Sequence, residues 1–117
     1  MQRLEVVPRL FPLVENGDKR STIRWREPPI VPGYMCYVCA GDPDRTVVVW
    51  VTRITSMPLR NAAAFVGRQD EWPDQVMLAG MREHYPGIEL DDEVQVIEHL
   101  TPAETRARPG FPAADDR

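Results

Sequence analysis

Apolar residues fall in short runs whose spacing changes several times along the chain. Leu4 to Val7 reads as a first strand, and Pro8 to Asn16 as a short helix with Leu10, Leu13 and Val14 on one face. Pro12 interrupts that helix and Gly17 follows it as a helix-ending glycine. Ser21 to Trp25 reads as a second strand. The segment Glu27 to Gly33 (EPPIVPG) is a connection whose prolines bar regular helix. Met35 to Ala40 is a strand and Gly41 to Arg45 (GDPDR) a turn. Thr46 to Thr55 (TVVVWVTRIT) is the densest β-branched run, so the two strands and their turn form an antiparallel hairpin. Pro58 opens a helix that continues through LRNAAAFV. Asp74 to His84 is a second, clearer helix. Val76, Met77, Gly80 and Met81 make its buried stripe, and Gly80 suggests close packing. Tyr85-Pro86-Gly87 ends it. Asp91 to Leu100 holds the last strand, with Val94 and Val96 on one face and Glu98 in line with them.

Residues 101–117 show no apolar periodicity and contain Pro102, Pro109, Gly110 and Pro112, so a mobile tail is expected after a domain of residues 1–100. Mostly antiparallel strands with a few short helices predict an α+β domain or a small barrel-like sheet.

Composition narrows the function classes. A chain of 117 residues fits one domain, and 43% hydrophobic with 27% charged residues is ordinary for a soluble globular protein. No apolar run approaches the roughly 20 residues of a membrane-spanning helix. The opening MQRLEVVPRLFPLVENGDK does not read as a secretory signal, because Glu5, Arg9 and Glu15 break its apolar stretches; a cytoplasmic location is therefore expected. The net charge of −4 supplies no general attraction for duplex nucleic acid. Locally the balance differs, since Lys19, Arg20, Arg24 and Arg26 cluster while acidic residues gather from Asp70 onward.

Cys36 and Cys39 form a lone CxxC. A zinc site needs two further ligands, and His84 and His99 form no such pair in sequence. A redox CxxC normally opens a helix, whereas MCYVCA reads as a strand, on which positions three apart face opposite sides. Two reduced packing cysteines are expected, with no metal and no cofactor.

The chain has 14 basic residues, and Lys19 is the one lysine among them. Arginine is always charged; lysine can shed its proton when buried and act as base or nucleophile. Chance survival of one exposed lysine explains the count equally well. The segment Gly17 to Arg24 (GDKRSTIR) adds weight. Gly17 permits a sharp turn, Lys19 follows it, and Thr22 and Arg24, two apart on a strand, share a face. An amine, a hydroxyl and a guanidinium at one spot suit a polar, carbonyl-bearing ligand. The alternative is a solvated strand face with ordinary charges.

GDKRSTIR resembles the ASCH-domain signature, a Gly-x-Lys-x-x-Thr-x-Arg string between the first helix and second strand. The resemblance continues through IVPG, with Tyr34 where an acidic residue often follows the glycine, then VVVWVTRITSMPL, the helix ending at His84-Tyr85-Pro86-Gly87, and DDEVQVIEHL, about residues 3–100 in all. It implies a PUA-like mixed, mostly antiparallel β-barrel with short flanking helices. Some small bacterial members of this kind are amidohydrolases that remove the acetyl group of 4-N-acetylcytidine. In them the signature lysine and threonine act with a glutamate near the start of the last helix. By motif position the lysine falls on Lys19 and the threonine on Thr22. Counting back from Tyr85 without gaps lands near Asp70, and a shift of one residue selects Glu71, which is favoured because it matches the family's residue type, with Asp70 as the alternative carboxylate.

On that reading Lys19 takes a proton from Thr22 or from water, and Thr22 attacks or holds the water. Glu71 orients Lys19 or protonates the leaving amine, and Arg24 supports the oxyanion or the carboxylate positions. Trp72, next to Glu71, is the candidate for the pocket rim. Trp25 faces away from Arg24, and Trp50 among apolar neighbours is assigned to the core. The expected partner is a nucleoside or RNA, with no membrane. The competing readings are a non-catalytic RNA-binding module of PUA-like fold and an ASCH-type ribonuclease. Sequence leaves the oligomeric state open.

Overall fold

The computed structural model describes residues 1–111. They form five strands and four short helices in an α+β arrangement. The strands are β1 (Gln2–Val6), β2 (Ser21–Arg24), β3 (Gly33–Cys39), β4 (Asp42–Pro58) and β5 (Glu93–His99). The helices are α1 (Phe11–Glu15), α2 (Leu59–Phe65), α3 (Asp74–Arg82) and α4 (Pro102–Arg106). The strand order is β1-β3-β4-β5-β2. The first strand runs parallel to β3, in register Gln2 with Met35 through Val6 with Cys39. The β3–β4 pair is the antiparallel hairpin that its β-branched run predicts, with Tyr34 opposite Trp50 and Cys36 opposite Val48. The mixed sheet with short helices is the fold class expected.

The turn of this hairpin is tighter than expected. Only Ala40 and Gly41 turn, Gly41 with φ of 81°, and β4 begins at Asp42. The ladder then slips from Val38–Thr46 to Cys39–Asp42, leaving residues 43–45 as extra residues on β4. Pro43, which cannot donate to a ladder, sits in this irregularity.

The chain divides into two compact units, the first of residues 1–20, 30–53 and 98–111, the second of residues 21–29 and 54–97. In the first, Phe11, Val14, Met35, Tyr37, Val49 and Val51 are fully buried. Cys36 and Cys39 are buried free thiols. In the second, Leu59, Ala62 and Ala63 of α2 meet Met77 and Leu78 of α3 and Val94 and Val96 of β5, with Ile88 between helix and strand. Burying a side chain of this size is worth about 1.5–3 kcal/mol, so this cluster is what holds two helices of seven and nine residues in place.

Three expectations about packing need correction. Val76 is exposed and Leu78 takes its place in the buried stripe of α3. A Cβ on Gly80 would meet nothing within 4 Å, so no close packing explains that glycine. On β5 the buried positions are Val94, Val96, Ile97 and His99; Glu98 points to an ion pair with Arg53 at 2.7 Å.

The largest difference lies at residues 101–111, expected as a tail. Thr101 caps α4 through a capping box: its hydroxyl accepts from the Glu104 amide at 3.1 Å, and the Thr101 amide donates to Glu104 Oε1 at 2.9 Å. Thr105, fully buried, donates to the Thr101 carbonyl and accepts from the Trp50 amide at 2.9 Å. Beyond it, Arg108 lies over the Trp50 ring at 3.5 Å and Phe111 meets the edge of Tyr34. Trp50, assigned to the core, is therefore half-buried, covered by this segment and by the edge of Tyr34 at 4.7 Å. Residues 112–117 of the expected tail lie outside the described residues. Among the described residues no helix is long and apolar enough to cross a membrane.

Candidate functional site

The strand β2 is four residues long and alternates as its sequence requires. Ile23 and Trp25 pack against the apolar cluster of the second unit, so Thr22 and Arg24 share the opposite face. Thr22 is 5% exposed. Its Oγ1 accepts a hydrogen bond from Arg24 Nε at 2.8 Å. Since that bond occupies a lone pair, the Thr22 hydroxyl proton is free to point elsewhere. A guanidinium donor also favours negative charge on the oxygen it contacts.

After Arg24 the chain turns sharply. Arg26 adopts φ of 57°, the one non-glycine residue at positive φ among the described residues. Such a conformation is costly for a side chain larger than glycine. It brings Glu27 back toward the strand it has just left. Glu27 Oε2 lies 3.5 Å from Arg24 Nη1 and accepts a hydrogen bond from the Tyr85 hydroxyl. Burial, with the Glu27 carboxylate adding to it, pushes the Tyr85 phenol up to about 12, so Tyr85 is a donor at any ordinary pH. Trp25 meets Tyr85 edge-to-face at 5.9 Å, and the Arg26 guanidinium lies over the Trp25 ring at 4.3 Å.

The second unit thus holds a continuous polar chain, Thr22–Arg24–Glu27–Tyr85, backed by Trp25. Sequence reasoning placed Thr22 and Arg24 on one face and missed Glu27 and Tyr85. The first lay in a proline-rich connection and the second in a helix-ending Tyr-Pro-Gly. Their partnership spans 58 residues, which no local pattern encodes.

The two candidate carboxylates sit on the loop between α2 and α3. Glu71 is exposed and pairs with Arg68 at 2.8 Å; Asp70 is exposed beside it. The Thr22–Arg24 pair is joined instead by Glu27. Trp72 is half-buried against the apolar cluster, with Arg68 5.9 Å from its ring.

Lys19 belongs to the first unit. It is half-buried, and its amide donates to the Leu13 carbonyl at 2.9 Å, which fixes the turn after α1. Gly17 takes φ of 88° there. A cleft of about 260 Å³ opens beside this turn, lined by Glu15, Asn16, Asp18, Arg20 and Thr101 among others. Close by, His99 is buried between two hydrogen bonds. Its Nδ1 lies 2.8 Å from the Leu100 carbonyl and its Nε2 2.8 Å from the Tyr37 hydroxyl. A carbonyl can only accept, so Nδ1 carries the proton and Tyr37 donates to Nε2. Burial above all, together with the charges of Lys19 and Arg20, holds the imidazole down at about 4, against a Leu100 bond that works the other way. Among the described residues no cluster of three or more His, Cys, Asp or Glu side chains could hold a metal.

No family model matches the chain, and no curated protein matches it by sequence. Solved structures do. Two mutant forms of ZmASCH from Zymomonas mobilis, one with a serine changed to alanine and one with a tyrosine changed to phenylalanine, each superpose with a TM-score of 0.64. Each likeness covers 95% of this chain, and 82% and 84% of the respective ZmASCH chains, at 13% identity. At that identity the likeness speaks to architecture alone: the fold of this chain is ASCH-like.

Proposed function

We propose that this protein is an amidohydrolase that removes the acetyl group from acetylated cytidine or a related nucleoside. The observation that carries the reading is the Arg24 Nε–Thr22 Oγ1 hydrogen bond on a nearly water-free hydroxyl. Thr22 Oγ attacks the amide carbonyl and its proton passes to the Lys19 amine. The guanidinium of Arg24 stabilises negative charge as it moves from the Thr22 oxygen toward the carbonyl oxygen. The C–N bond breaks as the proton taken up by Lys19 passes to the departing exocyclic nitrogen, with the Glu71 carboxylate supporting the amine that leaves. Water then hydrolyses the acetyl ester, releasing acetate and regenerating Thr22.

The test is incubation with 4-N-acetylcytidine, followed by chromatography for cytidine. Wild-type protein should release cytidine, and Thr22→Val should not. Mass spectrometry of quenched protein should find one acetyl group on Thr22 during turnover. Glu71→Gln set against Asp70→Asn decides which carboxylate serves the leaving amine. Absence of cytidine release by the wild type would end this reading.

One feature favours a second reading, a non-catalytic RNA-binding module: the exposed Arg26 lies over Trp25 in the manner of a base-stacking surface. On that reading a base stacks on the exposed Arg26 guanidinium, so Arg26→Ala lowers RNA affinity, and acetylated cytidine is left intact.

A further inference from the structure

We propose that Glu27 and Tyr85 are positioning residues, which together fix the Arg24 guanidinium so that its Nε stays bonded to the Thr22 hydroxyl. The inference rests on the reading of Thr22 as the reacting group. An arginine side chain has many rotamers, and only a narrow set places Nε, rather than a terminal nitrogen, on the oxygen of the residue two positions back. Three features select that set. Positive φ at Arg26 folds the chain back, so that Glu27 faces the arginine three residues before it. Glu27 offers Oε2 to the Arg24 Nη1 end, which draws that end away from Thr22 and leaves Nε to face it. Tyr85 donates to the same Oε2. It is itself held by the apolar cluster and by the edge of Trp25, so the carboxylate is tied to the unit's core.

As a stabilising device the arrangement is poor. The ion pair is long at 3.5 Å, and the Glu27 side chain is 28% exposed. As an aiming device it is sound, because catalytic groups need neighbours that lock their rotamers.

The experiment uses Glu27→Gln and Tyr85→Phe, both close in shape to the native residue, in the full chain. The Nε–H signal of Arg24 is followed by NMR on ¹⁵N-labelled protein, and kcat and KM are measured with 4-N-acetylcytidine. In both variants the Arg24 Nε–H should exchange with water faster by about tenfold or more. The kcat should fall by about tenfold, with KM within about twofold, as expected when an aligned group is loosened without loss of substrate contacts. Circular dichroism and thermal melts establish that each variant is folded. Unchanged Arg24 Nε–H exchange in two folded variants would overturn the proposal, whatever the turnover. A wild type that does not turn over acetylated cytidine would overturn the deacetylase reading alone, and the exchange measurement would still decide whether Glu27 and Tyr85 hold Arg24.

Discussion

His99 shows how one buried side chain ties folding to pH. Its two nitrogens are committed to the Leu100 carbonyl and the Tyr37 hydroxyl, and that arrangement needs a neutral ring. Burial holds its pKa at about 4, against 6.5 for a free histidine. Between those values an unfolded chain takes up a proton that the folded chain refuses. The stability His99 contributes is therefore fully present above about pH 6.5 and is lost as pH falls toward 4, a change on the order of 3 kcal/mol. Urea denaturation of wild type and His99→Gln at several pH values checks this. Glutamine keeps an acceptor for Tyr37 but does not titrate, so the slope between pH 6.5 and 4 should flatten; an unchanged slope would place it on other groups.

Among the elements, α4 is five residues long and far too short to stand alone, so its cap and its one buried hydroxyl carry it. Thr101→Ala should cost about 1 kcal/mol through the lost cap. Thr105→Val should cost about 1–3 kcal/mol, because it strands the Trp50 amide. Gly17→Ala should destabilise too: φ of 88° is unfavourable for alanine, and its methyl would lie 3.1 Å from Thr101 Cγ2. Denaturant midpoints that move at constant slope would verify all three. This element was legible in one respect. Thr101-Pro102-Ala103-Glu104 is a capping box with proline at the first helical position. It was hidden because its inward residues are proline and threonine, which carry no apolar rhythm. The strands fared better: the β-branched run of β4 and the paired face of Thr22 and Arg24 follow directly from side-chain type and the period of two. The stripe of α3 was misread at Val76 and Gly80, both exposed: Val76 and Leu78 are both strongly apolar, and only the position of α2 and β5 decides between them.

For the whole molecule, a charge of −4 and a single lysine set expectations for partners. If the ligand is a neutral acetylated nucleoside, its affinity should barely change with salt, whereas any affinity for long RNA should fall steeply. Lys19 discriminates further. Lys19→Arg keeps the charge but cannot release the proton, so under the deacetylase reading it should lose about 10²–10⁴-fold in rate, close to Lys19→Ala. If Lys19 serves only to attract phosphate, the arginine variant should bind RNA almost normally. Titrating both variants over a range of salt, with turnover measured alongside, separates these outcomes. What sequence could not supply at this scale is the long-range chain Thr22–Arg24–Glu27–Tyr85. Its last link joins two segments that only the tertiary fold brings together.

The segment from Thr101 to Phe111 also bears on how the protein is made. The first unit draws on three stretches of chain, and the last of them supplies the Thr105 hydroxyl that satisfies the Trp50 amide. The second unit takes nearly all its apolar cluster from residues 54–97. During synthesis the second unit's cluster is therefore available before the first unit can be finished, although the first unit begins earlier in the chain. A nascent chain arrested after β5 would expose Trp50 and Tyr34 without their cover. The order in which these surfaces close on the ribosome thus runs opposite to the order in which the two units begin.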